Sequence, residues 1–177
     1  YEFLSRSAGY LYIAWNQKWD GKKSPFADPR VREAMTYLTP RQRICNEIFL
    51  GYAEVTNGPF HPRSHQRNKA LKIRPHDLQK AMALLKEAGY QYDKQRKLLI
   101  GPDGNPLEFK LSFPQGSDTF KRMMPILRNA YARAGIIMKP DATEWAVFGQ
   151  RLGNRDFQAI TLLWTGGIET NIYQMFH

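Results

Sequence analysis

Hydrophobic positions along this chain fall into two rhythms, one of period two and one near 3.6, and their succession predicts the elements. Tyr10-Leu11-Tyr12-Ile13-Ala14-Trp15 is a continuous aromatic and β-branched run ending at Asn16, the pattern of a strand buried on both faces. After a loop to Ala27, Asp28 is an N-cap and Pro29 a first helical residue, and Val31, Ala34, Met35 and Leu38 follow at helical spacing. Thr39-Pro40 repeats the cap-and-proline device for a second helix, with Ile44, Ile48 and Phe49 inward and Gly51 as its stop. Residues 52–76 have no periodicity and contain Pro59, Pro62 and Pro75, which predicts a long surface loop, with a short strand near Val55. Asp77 caps a third helix whose inner face is Leu78, Ala81, Met82 and Leu85, ending at Gly89.

The second half is richer in strands. Lys97–Ile100 and Leu107–Phe113 flank the turn-forming Gly101-Pro102-Asp103-Gly104-Asn105-Pro106, which predicts a hairpin. Leu107, Phe109, Leu111 and Phe113 alternate with Glu108, Lys110 and Ser112, the signature of a half-buried strand ended by Pro114. A helix over Phe120–Ala134 presents Met123, Leu127, Ala130 and Tyr131, with Pro125 predicting a kink or a later start. A strand at Ile136–Asp141, a helix capped by Thr143 with Trp145, Phe148 and Leu152 inward, and a strand at Phe157–Trp164 follow. Gly166-Gly167 then turns into a last helix near Thr170. The order implies an α/β domain, a mixed sheet with helices on its faces.

Composition narrows the classes. With 42% apolar residues over 177 positions, one sizeable core in a single domain is expected. The net charge of +10 suits an acidic partner, nucleic acid or an anionic membrane surface, but basic residues are spread from Arg6 to Arg155 without a run longer than two. A basic nucleic-acid-binding domain is the alternative, and it requires the Arg63–Arg74 loop and exposed aromatics to form one surface. Cys45 is alone, so no intrachain disulfide forms. No apolar stretch approaches the length of a membrane span, and no signal peptide is present. Tyr1 in place of an initiator Met, and an end within an apolar pattern, make the chain a fragment in expectation.

Catalytic chemistry finds little to stand on. His61 and His65 are four apart, but Pro59 and Pro62 oppose a helix there and no third ligand completes a metal site. There is no Gly-x-Ser-x-Gly elbow, phosphate loop or dinucleotide fingerprint. The expectation is a non-enzyme without cofactor or metal. The best local case for a ligand is Trp164-Thr165-Gly166-Gly167 with Glu169, where a strand delivers an indole to its C-terminal end and two glycines expose backbone N–H groups before a helix. Gln115-Gly116-Ser117 has the same strand-to-helix architecture. Trp15 and Asn16, at the end of the first strand, are either cleft or hinge residues, or Asn16 satisfies loop backbone groups.

Four stretches resemble the family 5 extracellular solute-binding proteins, which include the oligopeptide- and dipeptide-binding components of ABC importers. They are Tyr12–Asn16 with Pro25-Phe26-Ala27-Asp28-Pro29-Arg30-Val31-Arg32-Glu33-Ala34-Met35; Leu50-Gly51 with Asn57-Gly58-Pro59-Phe60; Ala81–Tyr90; and Ala134-Gly135-Ile136 through Trp145 and Arg155-Asp156-Phe157 to Trp164. The resemblance implies one lobe of a periplasmic-binding-protein type II fold, residues 1–177 being a single partial lobe whose companion lobe lies elsewhere in the parent protein. It also implies a monomer in the periplasm or cell envelope that captures a peptide or peptide-like solute and delivers it to ABC importer membrane subunits. Two departures stand out. Thr39-Pro40-Arg41 replaces the family's Asp-Arg opening, and Gly167 occupies the place where oligopeptide binders carry an acid matched to the peptide α-ammonium, with Glu169 two residues on. A binding protein for a non-peptide solute is therefore the other alternative within the family.

Overall fold

The computed structural model describes residues 9–62 and 64–165. Its centre is a four-stranded sheet made of β1 (Tyr10–Trp15), β6 (Glu108–Pro114), β7 (Ile137–Thr143) and β8 (Ala159–Trp164), in the order β1-β8-β6-β7. β6 is parallel to both β7 and β8, whereas β1 is antiparallel to β8. The sheet is therefore mixed, and the helices α1 (Pro29–Leu38), α2 (Arg41–Glu47), α3 (Leu78–Glu87), α4 (Asp118–Ala132) and α5 (Trp145–Asn154) accompany it.

Register assigns the faces. Leu11, Ile13 and Trp15 of β1, Ala159 of β8 and Phe109, Leu111 and Phe113 of β6 share one face and join the main core. Val31, Ala34, Met35 and Leu38, the predicted inner stripe of α1, are fully buried in that core. Each large side chain among them contributes about 1.5–3 kcal/mol by leaving water. Trp15, Phe26 and Phe109 form an aromatic triangle with centroids 4.5–5.4 Å apart. Tyr131 of α4 is fully buried beside Phe109, and its hydroxyl meets Thr39 Oγ1 at 3.0 Å. Burial pushes the Tyr131 phenol pKa far up, so it stays a neutral hydrogen-bonding group.

The opposite face carries Tyr10, Tyr12 and Ala14, Ile160, Leu162 and Trp164, Ser112 and Asp141. α5 reaches this face through Arg151 Nη1, which donates to Asp141 Oδ2 at 2.9 Å, while Ser112 Oγ donates to the same carboxylate oxygen at 2.7 Å.

Several expectations are corrected. β1 is half-buried along its whole length, not buried on both faces, because among the described residues it is an edge strand paired only with β8. The hairpin forms between β4 (Gln91–Asp93) and β5 (Leu98–Ile100), not between β5 and β6; an isolated bridge joins Ile100 to Pro106, which precedes β6. The Gly101–Pro106 segment folds on itself, with Gly101 N–H donating to Asn105 O at 2.8 Å, and so releases β6 into the main sheet. α2 has Pro40 at its cap position without a side-chain cap, since Thr39 Oγ1 is spent on Met35 O at 2.7 Å. Ser117 caps α4, which starts at Asp118 and keeps exposed Pro125 within it. No strand forms near Val55. The last helix predicted from Thr170 lies outside the described residues.

Gly135 closes α4 at φ +77°, a left-handed conformation that glycine adopts without a Cβ penalty. Its carbonyl accepts Leu99 N–H at 2.8 Å, locking the β4–β5 hairpin under the helix end.

Candidate functional site

Because β6, β7 and β8 are parallel, their C-terminal ends emerge at one edge of the sheet, and the antiparallel β1 adds its N-terminus there. Ligands of open α/β sheets gather at such an edge. Here it is built from Pro114–Ser117, Thr143–Trp145, Trp164–Thr165 and Tyr10. Gln115 N–H donates to Thr143 O at 2.8 Å and ties the first two loops together.

Two helices begin at this edge. Ser117 Oγ accepts Phe120 N–H at 3.4 Å, and Glu144 Oε2 accepts Ala146 and Val147 N–H at 2.9 and 3.3 Å. Both caps are side-chain oxygens satisfying orphan donors of a first turn. The predicted cap Thr143 instead ends β7, and Glu144 takes its place, its carboxylate also complementing the helix dipole.

Of the predicted binding residues, the structure brings Gln115, Gly116, Ser117, Trp164 and Thr165 to this edge. Gln115, Gly116 and Thr165 are exposed, and Trp164 and Ser117 are half-buried. Gly166, Gly167 and Glu169 lie outside the described residues. Trp15 and Asn16 are at the opposite end of the sheet, because β1 runs against β8 and pairs Trp15 with Ala159. Trp15 is committed to the aromatic triangle. Asn16 Nδ2 donates to Arg155 O and Phe157 O, both at 2.8 Å, and its Oδ1 accepts Lys18 N–H at 3.3 Å. Those bonds fix the entry to β8 and are the loop-satisfying role.

The helical spacing predicts Trp145 inward, and the structure places it outward. Trp145 is 63% exposed, whereas Phe148, one turn later, is buried beneath it, the two rings stacked at 5.8 Å and 12°. As the first helical residue at the sheet edge, Trp145 has no element among the described residues beyond it to cover the ring. Its position one residue after an acidic cap was the available signal. Tyr10 is the other residue missed. It pairs directly with Trp164, so the two side chains leave the sheet on the same face, with Tyr12 next along at a ring distance of 6.0 Å. Partial burial raises both tyrosine pKa values, so their phenols are neutral donors and acceptors at physiological pH.

The described edge thus offers aromatic faces, neutral hydroxyls and backbone amides. Of its acids, Glu144 caps α5 and the largely exposed Asp118 meets Lys121 at 3.4 Å. Such an inventory holds a ligand by stacking and hydrogen bonding. Among the described residues no three of His, Cys, Asp and Glu group to hold a metal. A shallow, open depression of about 240 Å³ lined by His76, Leu78, Ala130 and Arg133 lies in the helical layer and includes none of the strand-end residues. The Arg67 and Arg74 side chains of the long loop are partly consumed internally, on Pro62 O and on Glu33, both at 3.1 Å.

Comparison with known proteins agrees with this architecture. The chain is 27% identical over 172 residues to the oligopeptide-binding protein AppA of Bacillus subtilis, covering 95% of this chain and 31% of that protein. It is 28% identical over 155 residues to heme-binding protein A of Haemophilus influenzae, covering 88% of this chain and 26% of that protein. The chain therefore spans less than a third of either relative. The structure of Bacillus subtilis AppA in complex with a nonapeptide superposes with a TM-score of 0.85 at 27% identity, over 97% of this chain and 34% of that one. The family model of the bacterial extracellular solute-binding proteins, family 5 (middle region), matches residues 3–176, and the chain belongs to that family.

Proposed function

We propose that residues 1–177 form a single lobe of an extracytoplasmic solute-binding protein of the periplasmic-binding type II fold, one that captures a peptide-like solute for an ABC importer without chemical turnover. The observation that carries this is the aromatic edge. Trp145 stands exposed at the C-terminal strand ends that also present Trp164 and Tyr10, where a relative of 27% identity is an oligopeptide-binding protein. The indole rings would wall the solute, and Gln115–Ser117 and Thr165 would supply polar contacts. Gly166, Gly167 and Glu169 follow directly in the sequence, and Glu169 would serve as a charge partner for a peptide ammonium. The working protein is a monomer outside the cytoplasm, and among the described residues no helix is long and apolar enough to cross a membrane.

A half-site of this kind is one-sided. A formed pocket buries about 70% or more of a small ligand, which requires a second lobe closing over the edge by a hinge motion. Tryptophan fluorescence with pooled di- to pentapeptides should therefore change for the full-length protein and stay unchanged for the 177-residue chain alone. Tight binding by the isolated chain would contradict the two-lobe account. A non-peptide solute is the second reading, favoured by Gly167 in place of an acid and by the 28% identity to a heme-binding protein.

A further inference from the structure

Ligand capture leaves the basic charge of this chain unused, and the structure concentrates part of it away from the strand-end edge. After Asn16 a short hairpin forms from β2 (Lys18–Trp19) and β3 (Lys22–Lys23), turning through Asp20 and Gly21 at φ 52° and 70°. All six residues of the hairpin are exposed, Trp19 at 40%. None of Lys18, Lys22 and Lys23 has an ion-pair partner among the described residues. The hairpin base is fixed, since Ser24 N–H donates to Gln17 O at 3.0 Å, Ser24 Oγ donates to Asn16 O, and Asn16 holds Arg155 O and Phe157 O. Exposed Arg155 is thereby anchored beside it; the acids adjacent in sequence are Asp20 and Asp156, and Glu108, at the same end of the sheet, is paired with Lys139.

We propose that this Trp19-bearing lysine hairpin docks the protein onto an anionic lipid surface. Lysine ammoniums on flexible stems suit a diffuse field of phosphates, and an indole beside them suits the interface between headgroups and acyl chains. A shaped protein partner would call for a buried aromatic or arginine anchor with surrounding apolar contacts, which the hairpin lacks. Nucleic acid is disfavoured by the extracytoplasmic setting, and in that respect the inference rests on the proposed function. The strand-end edge lies at the other end of β1, about 20 Å away at ~3.3 Å per residue, so lipid docking leaves the ligand edge free.

The test is co-sedimentation of the full-length protein with vesicles of equal phosphatidylglycerol and phosphatidylcholine, against pure phosphatidylcholine. Binding is expected on the anionic vesicles only, weakening as salt rises from 50 to 300 mM. Lys18→Gln, Lys22→Gln and Lys23→Gln combined should lower the partition coefficient by at least about tenfold, each cation near the surface counting for severalfold. Combined Lys69→Gln, Lys72→Gln and Lys80→Gln, which remove the same net charge from the long loop and α3, should change it less than about threefold. Trp19→Ala should weaken binding while leaving its salt dependence intact. Equal losses in the two triple variants, binding to neutral vesicles alone, or stronger salt-dependent binding to duplex DNA than to the anionic vesicles would each overturn the proposal. Peptide titration of the same variants should match the parent, so loss of lipid docking and loss of solute capture are read separately.

Discussion

Replacing Gly135 with alanine should destabilise the chain by about 3 kcal/mol. A Cβ at that position would lie 2.7 Å from Leu99 N and 2.8 Å from Leu98 C, both backbone atoms of β5 that cannot turn aside as a side chain would. The residue sits at φ +77°, where an L-residue costs about 1–2 kcal/mol. Relieving the overlap moves β5 away and breaks the 2.8 Å bond from Leu99 N–H to Gly135 O, worth about 1 kcal/mol. Leu99 is 1% exposed, so the displacement also loosens its packing. The measurement is equilibrium urea unfolding of the 177-residue chain followed by circular dichroism, with Gly116→Ala as control. A Cβ at Gly116 meets nothing within 4 Å, and the substitution should shift stability by less than about 0.5 kcal/mol. A loss for Gly135→Ala below about 1 kcal/mol, or one equal to the control, would refute the claim that β5 is held against the α4 terminus.

Trp145→Ala removes an exposed ring that contacts Phe148, so stability should fall by no more than about 1 kcal/mol. Solute affinity of the full-length protein should nonetheless drop about fivefold or more in calorimetry, and an unchanged affinity would remove Trp145 from the site. Asp28 caps α1 and hydrogen-bonds Arg30, which holds its carboxyl below the usual carboxylate range. A lowered native value makes the charge stabilising above the ordinary carboxylate pKa, with the contribution lost as pH falls through the lowered value. Asp28→Asn keeps a capping side chain and removes the charge. Its stability deficit should be present at pH 6 and shrink toward pH 2.5, whereas a deficit independent of pH would contradict the assignment.

How far the residues foretold the structure depended on how local each determinant was. The α1 stripe, the Asp28 and Asp77 caps and the first half of the β6 alternation were legible because each is set by spacing or by a side chain bonding its own neighbours, whereas Ser112, expected outward, is buried. Strand pairing is non-local and was misjudged. Gly101–Pro106 looks like a hairpin turn, yet β5 pairs backward with β4, since Glu108 onward is claimed by the main sheet. Exposure was equally hidden. Trp145 has the spacing of a core residue, and only its place at the rim of the sheet leaves it uncovered. The same holds for Trp15 and Asn16, whose distance from Trp164 follows from the antiparallel β1, a fact that no local pattern states.

Calorimetric titration of a di- to pentapeptide mixture into the full-length protein, beside its Trp164→Ala variant, tests the central claim most directly. Solute capture at the strand-end edge predicts binding that weakens by at least about 1 kcal/mol when the Trp164 indole is lost. Peptide binding unchanged in the variant would contradict that placement, and no binding of any peptide would move the solute class away from peptides.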